Sequence, residues 1–139
     1  MEKPDNYYLQ SGVIPYRLTN DKLEILLITS RKKKKWIIPK GIIENGMKPR
    51  ESASLEALEE AGVIGSVADE PIGKYTVNKW GGVCEVLVYP MKVENVTAQW
   101  LEDNFRERKW FTFEGAMAVI ARGKITKLIK KLNDGVITI

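Results

Sequence analysis

Gly41-Ile42-Ile43-Glu44-Asn45-Gly46-Met47-Lys48-Pro49-Arg50-Glu51-Ser52-Ala53-Ser54-Leu55-Glu56-Ala57-Leu58-Glu59-Glu60-Ala61-Gly62-Val63 is a glycine-containing loop that runs into a helical pattern. Pro49 suits the first turn of a helix, Glu51 the positive end of its dipole, and Gly62 its stop. Together they predict a helix over 50–61. Ala53, Ala57 and Ala61 make a stripe of small residues on it, with Leu55 and Leu58 beside them, so it can pack close to a sheet. Glu56, Glu59 and Glu60 stand at i, i+3 and i+4, which on a helix is one face. Like charges there repel, and helix formation gives no reason to gather them. A divalent cation removes the repulsion, and carboxylate oxygens suit a hard ion such as magnesium. The basic run at residues 31–35 precedes the loop. Carboxylates for a cation, placed near basic groups, point to phosphate chemistry.

Outward from this segment the pattern is mostly β. Residues 12–18 read as a strand with Pro15 inside it, hence an edge or bulged strand. Residues 23–30 form an apolar, β-prone run expected at the centre of a sheet. Residues 36–39 are a short apolar segment stopped by Pro39, and 40–49 read as loop. Downstream, 71–77 and 83–93 are strands joined by a turn at 79–82, with Pro90 placed to end or bulge the second. Residues 94–108 read as loop with a short turn, 109–112 as a strand, and 113–120 and 125–132 as helices. Ile125, Leu128, Ile129 and Leu132 share one apolar face. The order ββ-loop-α-ββ-β-α specifies an α/β or α+β sandwich, with a single domain expected over 1–139.

Composition narrows the chemistry. The chain has 139 residues, 44% of them apolar and 29% charged, enough for one core and a soluble surface. No run approaches the roughly 18 apolar residues that span a bilayer, and the polar start at residues 1–6 leads into no signal-peptide pattern. One cysteine, Cys84, excludes an internal disulfide and suits a reducing compartment, so a cytoplasmic location is expected. A net charge of +4 favours anionic ligands. There is no histidine. That removes Ser-His and Cys-His nucleophiles, histidine-ligated zinc and imidazole bases. Acid–base work falls to Glu, Asp, Lys, Tyr or water.

Gly41, Glu56, Ala57, Glu59, Glu60, Gly62 and Val63 stand in the register of the Nudix hydrolase signature, and the segment resembles it. Residues 12–17, 27–31, 36–41, Trp100 and 105–111 are also similar to the diphosphoinositol polyphosphate phosphohydrolase branch of that family. The resemblance implies an α/β/α sandwich around a mixed β-sheet. It implies cleavage of a diphosphate linked to another moiety, with Mg2+ or Mn2+ as cofactor. It makes Glu56, Glu59 and Glu60 metal ligands, joined by the backbone carbonyl of Lys40. Glu56 or Glu60 doubles as the catalytic base, unless Glu85 or Glu107 supplies it. Arg17, Ser30, Arg31, Lys40 and Gly41 become the substrate-binding set. Arg106 and Arg108 either contact phosphate or pair with Glu102 or Glu107. Trp36, Trp100, Trp110 and Phe111 are expected in core or rim packing.

Two positions depart from the signature. Met47 replaces a glutamate and Leu55 an arginine, which in relatives can pair and hold the loop to the helix. Replacing both partners by apolar groups can be near neutral, whereas replacing one strands a charge. Met47 and Leu55 therefore read as a compensated pair. The expected partner is a phosphorylated small molecule, a diphosphoinositol polyphosphate, a dinucleoside polyphosphate or a nucleoside diphosphate derivative. Neither a membrane nor nucleic acid is expected, and the chain is expected to act as a monomer or homodimer. The alternative is a weak or inactive module that binds a phosphorylated ligand, because Leu55 cannot orient Glu56 as an arginine would.

Overall fold

The structure is a computed structural model describing residues 6–121 and 123–137. Its organising strand is β1 (Tyr7–Thr19), in the interior of an eight-stranded mixed sheet. One edge of β1 runs parallel to β7 (Gly82–Val96), from Tyr7↔Val83 to Tyr16↔Lys92. The other edge carries two antiparallel partners in succession: β4 (Lys40–Ile42), through Gly12↔Lys40, and β2 (Lys22–Thr29), through Tyr16↔Ile25. Pro15 falls in the gap between them, with neither ladder needing its missing N–H. That corrects the expectation that a proline marks β1 as an edge strand. β2 extends the sheet to β3 (Trp36–Ile37) and β8 (Arg108–Thr112). The far side of β7 holds β5 (Val63–Val67) and β6 (Gly73–Lys79).

Both faces of this sheet are covered. The run Ile25–Ile28 has no polar face, as a strand buried on both sides requires. Leu26 and Ile28, with Val13 and Met91, meet the helix α1 (Pro49–Glu56) and its continuation Ala57–Ala61. Ile25 and Leu27, with Ile14, Val86 and Val88, meet α2 (Phe113–Val119) and α3 (Lys124–Ile137). Ala53, Ala57 and Ala61 are fully buried, so the small-residue stripe does face the sheet. The result is the α/β/α sandwich expected. Among the described residues no helix is long and apolar enough to cross a membrane.

Other boundaries differ from the sequence reading. Residues 40–42 form a strand rather than loop, because pairing with β1 satisfies their backbone. β5 was not foreseen: Val63-Ile64-Gly65-Ser66-Val67 is short, glycine-broken and bulged between Ile64 and Gly65, so its alternation is weak. Pro90 does not end β7, which runs through it to Val96.

Candidate active site

Helix α1 ends at Glu56, and the next turn, Ala57–Ala61, widens into a π-helical one that carries Glu59 and Glu60. A wide turn has more residues per revolution than an α-helix and so loosens the i, i+3, i+4 alignment. Glu56 and Glu60 are the two that converge on β4, Glu56 against Gly41 and Glu60 on the Lys40 N–H. Glu59 acts on Glu56 by its charge, and its main-chain carbonyl accepts the Glu102 N–H at 3.1 Å. Gly62 closes the turn in the left-handed region, at φ 67°, where glycine carries no steric cost.

Strand β4 supplies the floor. Its pairing with β1 presents the Lys40 N–H to Glu60 Oε1 at 3.1 Å. The next residue is Gly41, and a Cβ there would overlap the Glu56 carboxylate. The motif glycine is thus a seat for the glutamate. Glu60 is only 8% exposed, and burial pushes its carboxyl up to about 8 against the pull of Arg106 and the Lys40 amide. Burial also raises Glu56, followed by the charge of Glu59. Burial thus favours the protonated form of both acids.

Arg106 enters from the segment before β8. Its Nη2 lies 3.5 Å from Glu60 Oε2, and its Nε donates to Glu102 Oε1 at 2.8 Å. Neighbouring Arg108 donates to the carbonyls of Ala61 (3.0 Å) and Thr97 (2.6 Å), and stacks on Trp100, so it caps the wide turn. The Arg106 side chain is 8% exposed and Arg108 is half-buried, and both guanidiniums are engaged by the protein's own acceptors. The reading that pairs Arg106 with Glu102 holds; its reach to Glu60 was missed, because no spacing rule links residues that far apart.

The basic turn lies on the same side as Glu102. Ser30 Oγ accepts the Lys35 N–H at 3.0 Å, so this side chain shapes the turn. Arg31 is exposed, stacks over Phe105 and lies 3.9 Å from Glu102. Arg17 is not brought to this cluster. It pairs with Glu24 at 2.7 Å and stacks on Trp110, roughly 16 Å along β1 from the Gly12–Lys40 pairing. The resemblance places Arg17 in the substrate-binding set, whereas here its guanidinium is engaged by Glu24. Glu85 is engaged by the Tyr7 hydroxyl and Lys74.

On the other side of Lys40 opens a cleft of ≈ 680 Å³. Trp36, Ile38, Tyr75, Ile120 and Ile125 give it apolar walls, and Lys35, Lys40 and Lys79 contribute cations. Trp36 packs edge-on against Phe111, as a rim residue. The Lys40 ammonium lies 5.9 Å over the Tyr75 ring, and burial, then the charge of Lys79, lowers its pKa. Lys40 is common to the acid pair, through its amide, and to the cleft, through its side chain.

Comparison with known proteins then decides the family. The NUDIX domain model matches residues 9–131. Nudix hydrolase 13, mitochondrial, of Arabidopsis thaliana is 33% identical, over 81% of this chain and 67% of its own. This chain belongs to the Nudix family. Diphosphoinositol polyphosphate phosphohydrolase 3-beta of Bos taurus is 28% identical, over 84% of this chain and 71% of its own. A C. elegans Ap4A hydrolase has the same Nudix fold, with a TM-score of 0.77 over 95% of this chain and 99% of its own, at 19% identity. The chain spans about two thirds of the length of the first of these relatives.

Nudix hydrolases use divalent cations, and the acid pair fits one. Its donors are all oxygen, burial disfavours both charges, and Glu59 and Glu102 add negative charge nearby. Among the described residues no three acidic, cysteine or histidine side chains already stand together as a cage. Around the Glu56–Glu60 pair the remaining acids, Glu59 and Glu102, act at longer range. Met47 and Leu55, the two departures from the Nudix signature, are both half-buried.

Proposed function

We propose that this Nudix pyrophosphohydrolase cleaves a phosphoanhydride bond by attack of water, using Mg2+ or Mn2+ held at Glu56 and Glu60. The observation that carries this is the convergence of half-buried Glu56, seated on Gly41, with buried Glu60, and Lys40 leading from them into the cleft. Glu59 and the Lys40 carbonyl complete the ligand set, directly or through water. A divalent cation bound there supplies charge neutralisation at phosphate oxygens and acidifies water. The chain's own residues do the rest. The Lys40 amide holds Glu60, Gly41 makes room for Glu56, and Glu56 or Glu60 takes a proton once ionised. Arg31 and the lysines of the basic turn meet the phosphates, Arg31 as a bidentate fork and the lysines as point charges.

Among the candidate substrates the cleft favours one carrying an aromatic base. Its walls include Trp36, Tyr75 and four isoleucines, which suit a planar apolar group. A diphosphoinositol polyphosphate would bring dense charge against apolar walls. We therefore infer a dinucleoside polyphosphate or a nucleoside diphosphate derivative. Cys84 is buried and free, which suits the reducing environment of the cytoplasm.

The test is hydrolysis of all three substrate classes with Mg2+ and with Mn2+, beside Glu60→Gln. Turnover of a nucleotide, lost by at least about 100-fold in the variant, is expected. Equal turnover in wild type and Glu60→Gln refutes the site. A second reading rests on Met47 and Leu55: a module that binds the phosphorylated ligand without cleaving it. It would show a ligand-induced rise in melting temperature with no product at any Mg2+ or Mn2+ concentration.

A further inference from the structure

Arg106 lies outside the motif segment, yet it touches the acid pair on one side and the root of the basic turn on the other. Its side chain is 8% exposed. Nε donates to Glu102 at 2.8 Å, Nη1 donates to the Thr29 carbonyl at 2.9 Å, and Nη2 faces Glu60 at 3.5 Å. The adjacent Glu107 is stitched to the same place. Its N–H donates to Thr29 Oγ1 at 2.9 Å, and its carbonyl accepts the Thr29 N–H at 3.0 Å. Thr29 is the last residue of β2, and the basic turn begins immediately after it.

A guanidinium is a rigid fork, so three simultaneous contacts fix its direction as well as its position. We propose that Arg106 is a positioning residue. It fixes the Glu60 carboxylate relative to the end of β2, and so keeps the ion-holding acids in register with the turn that meets phosphate. It supplies from a distant segment the guanidinium that Leu55 denies the helix. This rests on the ion-site reading above. Every nitrogen of the group has a partner and the side chain is buried, which separates it from an arginine waiting for substrate. A hydrophobic helix residue at 55 is then tolerable, because the acid pair is braced from the opposite wall.

The experiment uses the full chain, with Arg106→Met, Arg106→Lys and Glu102→Gln. Mn2+ affinity is read by electron paramagnetic resonance without substrate. kcat and KM are read on the nucleotide that wild type hydrolyses, and stability by thermal melting. In Arg106→Met, Mn2+ binding should weaken about 10- to 100-fold, as when a group that orients a ligand is lost. kcat should fall with it while KM stays within about twofold. Arg106→Lys should recover part of the affinity, and Glu102→Gln should shift it the same way by less. A raised KM with unchanged Mn2+ affinity would make Arg106 a phosphate ligand and overturn the proposal. So would a lower melting temperature with affinity and both kinetic constants unchanged. If Arg106→Met does not fold, unchanged Mn2+ affinity in Glu102→Gln overturns it. Absence of wild-type turnover counts against the hydrolase reading alone, since the Mn2+ measurement needs no substrate.

Discussion

Gly41 shows how much one missing side chain can carry. The Glu56 carboxylate occupies the space a Cβ would take. Gly41→Ala should displace Glu56 and cut Mn2+ affinity and kcat by at least about 10-fold. Titration of Mn2+ into the variant checks this; unchanged affinity would show that Glu56 is no ligand. Glu60 makes a second prediction. Its carboxyl sits at about 8 in the fold, far above its ordinary value, because it is buried. A raised folded-state pKa contributes stability that is present below the unfolded value and lost as pH rises through the folded one. The ion-free protein should therefore lose stability between about pH 4.5 and 8. Mn2+ should restore it at the alkaline end, by about 2.7 kcal/mol at a hundred times Kd. Melting curves with and without Mn2+ across that range test the sign. The meeting of these two glutamates was legible in the sequence, since acids at that spacing share a helix face. Their inequality with Glu59 was not, because residue spacing does not announce a π-turn.

At the scale of elements, the helix was legible because proline, glycine and three alanines mark its ends and its buried face. The wide turn inside it answers to Arg108 and Gly62, which lie on either side of a fold the chain must first make. The short strands β4 and β5 were invisible for a related reason. Each exists only because a long neighbour offers a ladder, so tertiary pairing overrides weak local pattern. The loop between β4 and α1 carries Met47, and the helix carries Leu55. If the two are a compensated pair, Met47→Glu alone should destabilise by about 1–3 kcal/mol, the cost of a partly buried charge without a partner. Adding Leu55→Arg should recover most of it. A double-mutant cycle in denaturant measures the coupling, and simple additivity of the two losses would remove the pairing argument.

Across the whole molecule, the sheet divides labour between its faces. The α1 face holds the acid pair, and the α2–α3 side walls the apolar cleft. Lys40, on the short strand beside β1, reaches both. Sandwich architecture and phosphate chemistry were readable from one segment, because the motif packs a loop, a helix and its acids into consecutive residues. The cleft was not readable, since its lining comes from four separate stretches of chain. Nor was the isolation of Arg17, which depends on where β1 carries it. The proposed hydrolysis requires an ion between Glu56 and Glu60. Anomalous diffraction from crystals soaked in Mn2+ addresses that directly. The account predicts a single strong peak within coordination distance of both carboxylates, lost in Glu60→Gln. A peak elsewhere, or no peak between the two side chains, would contradict it.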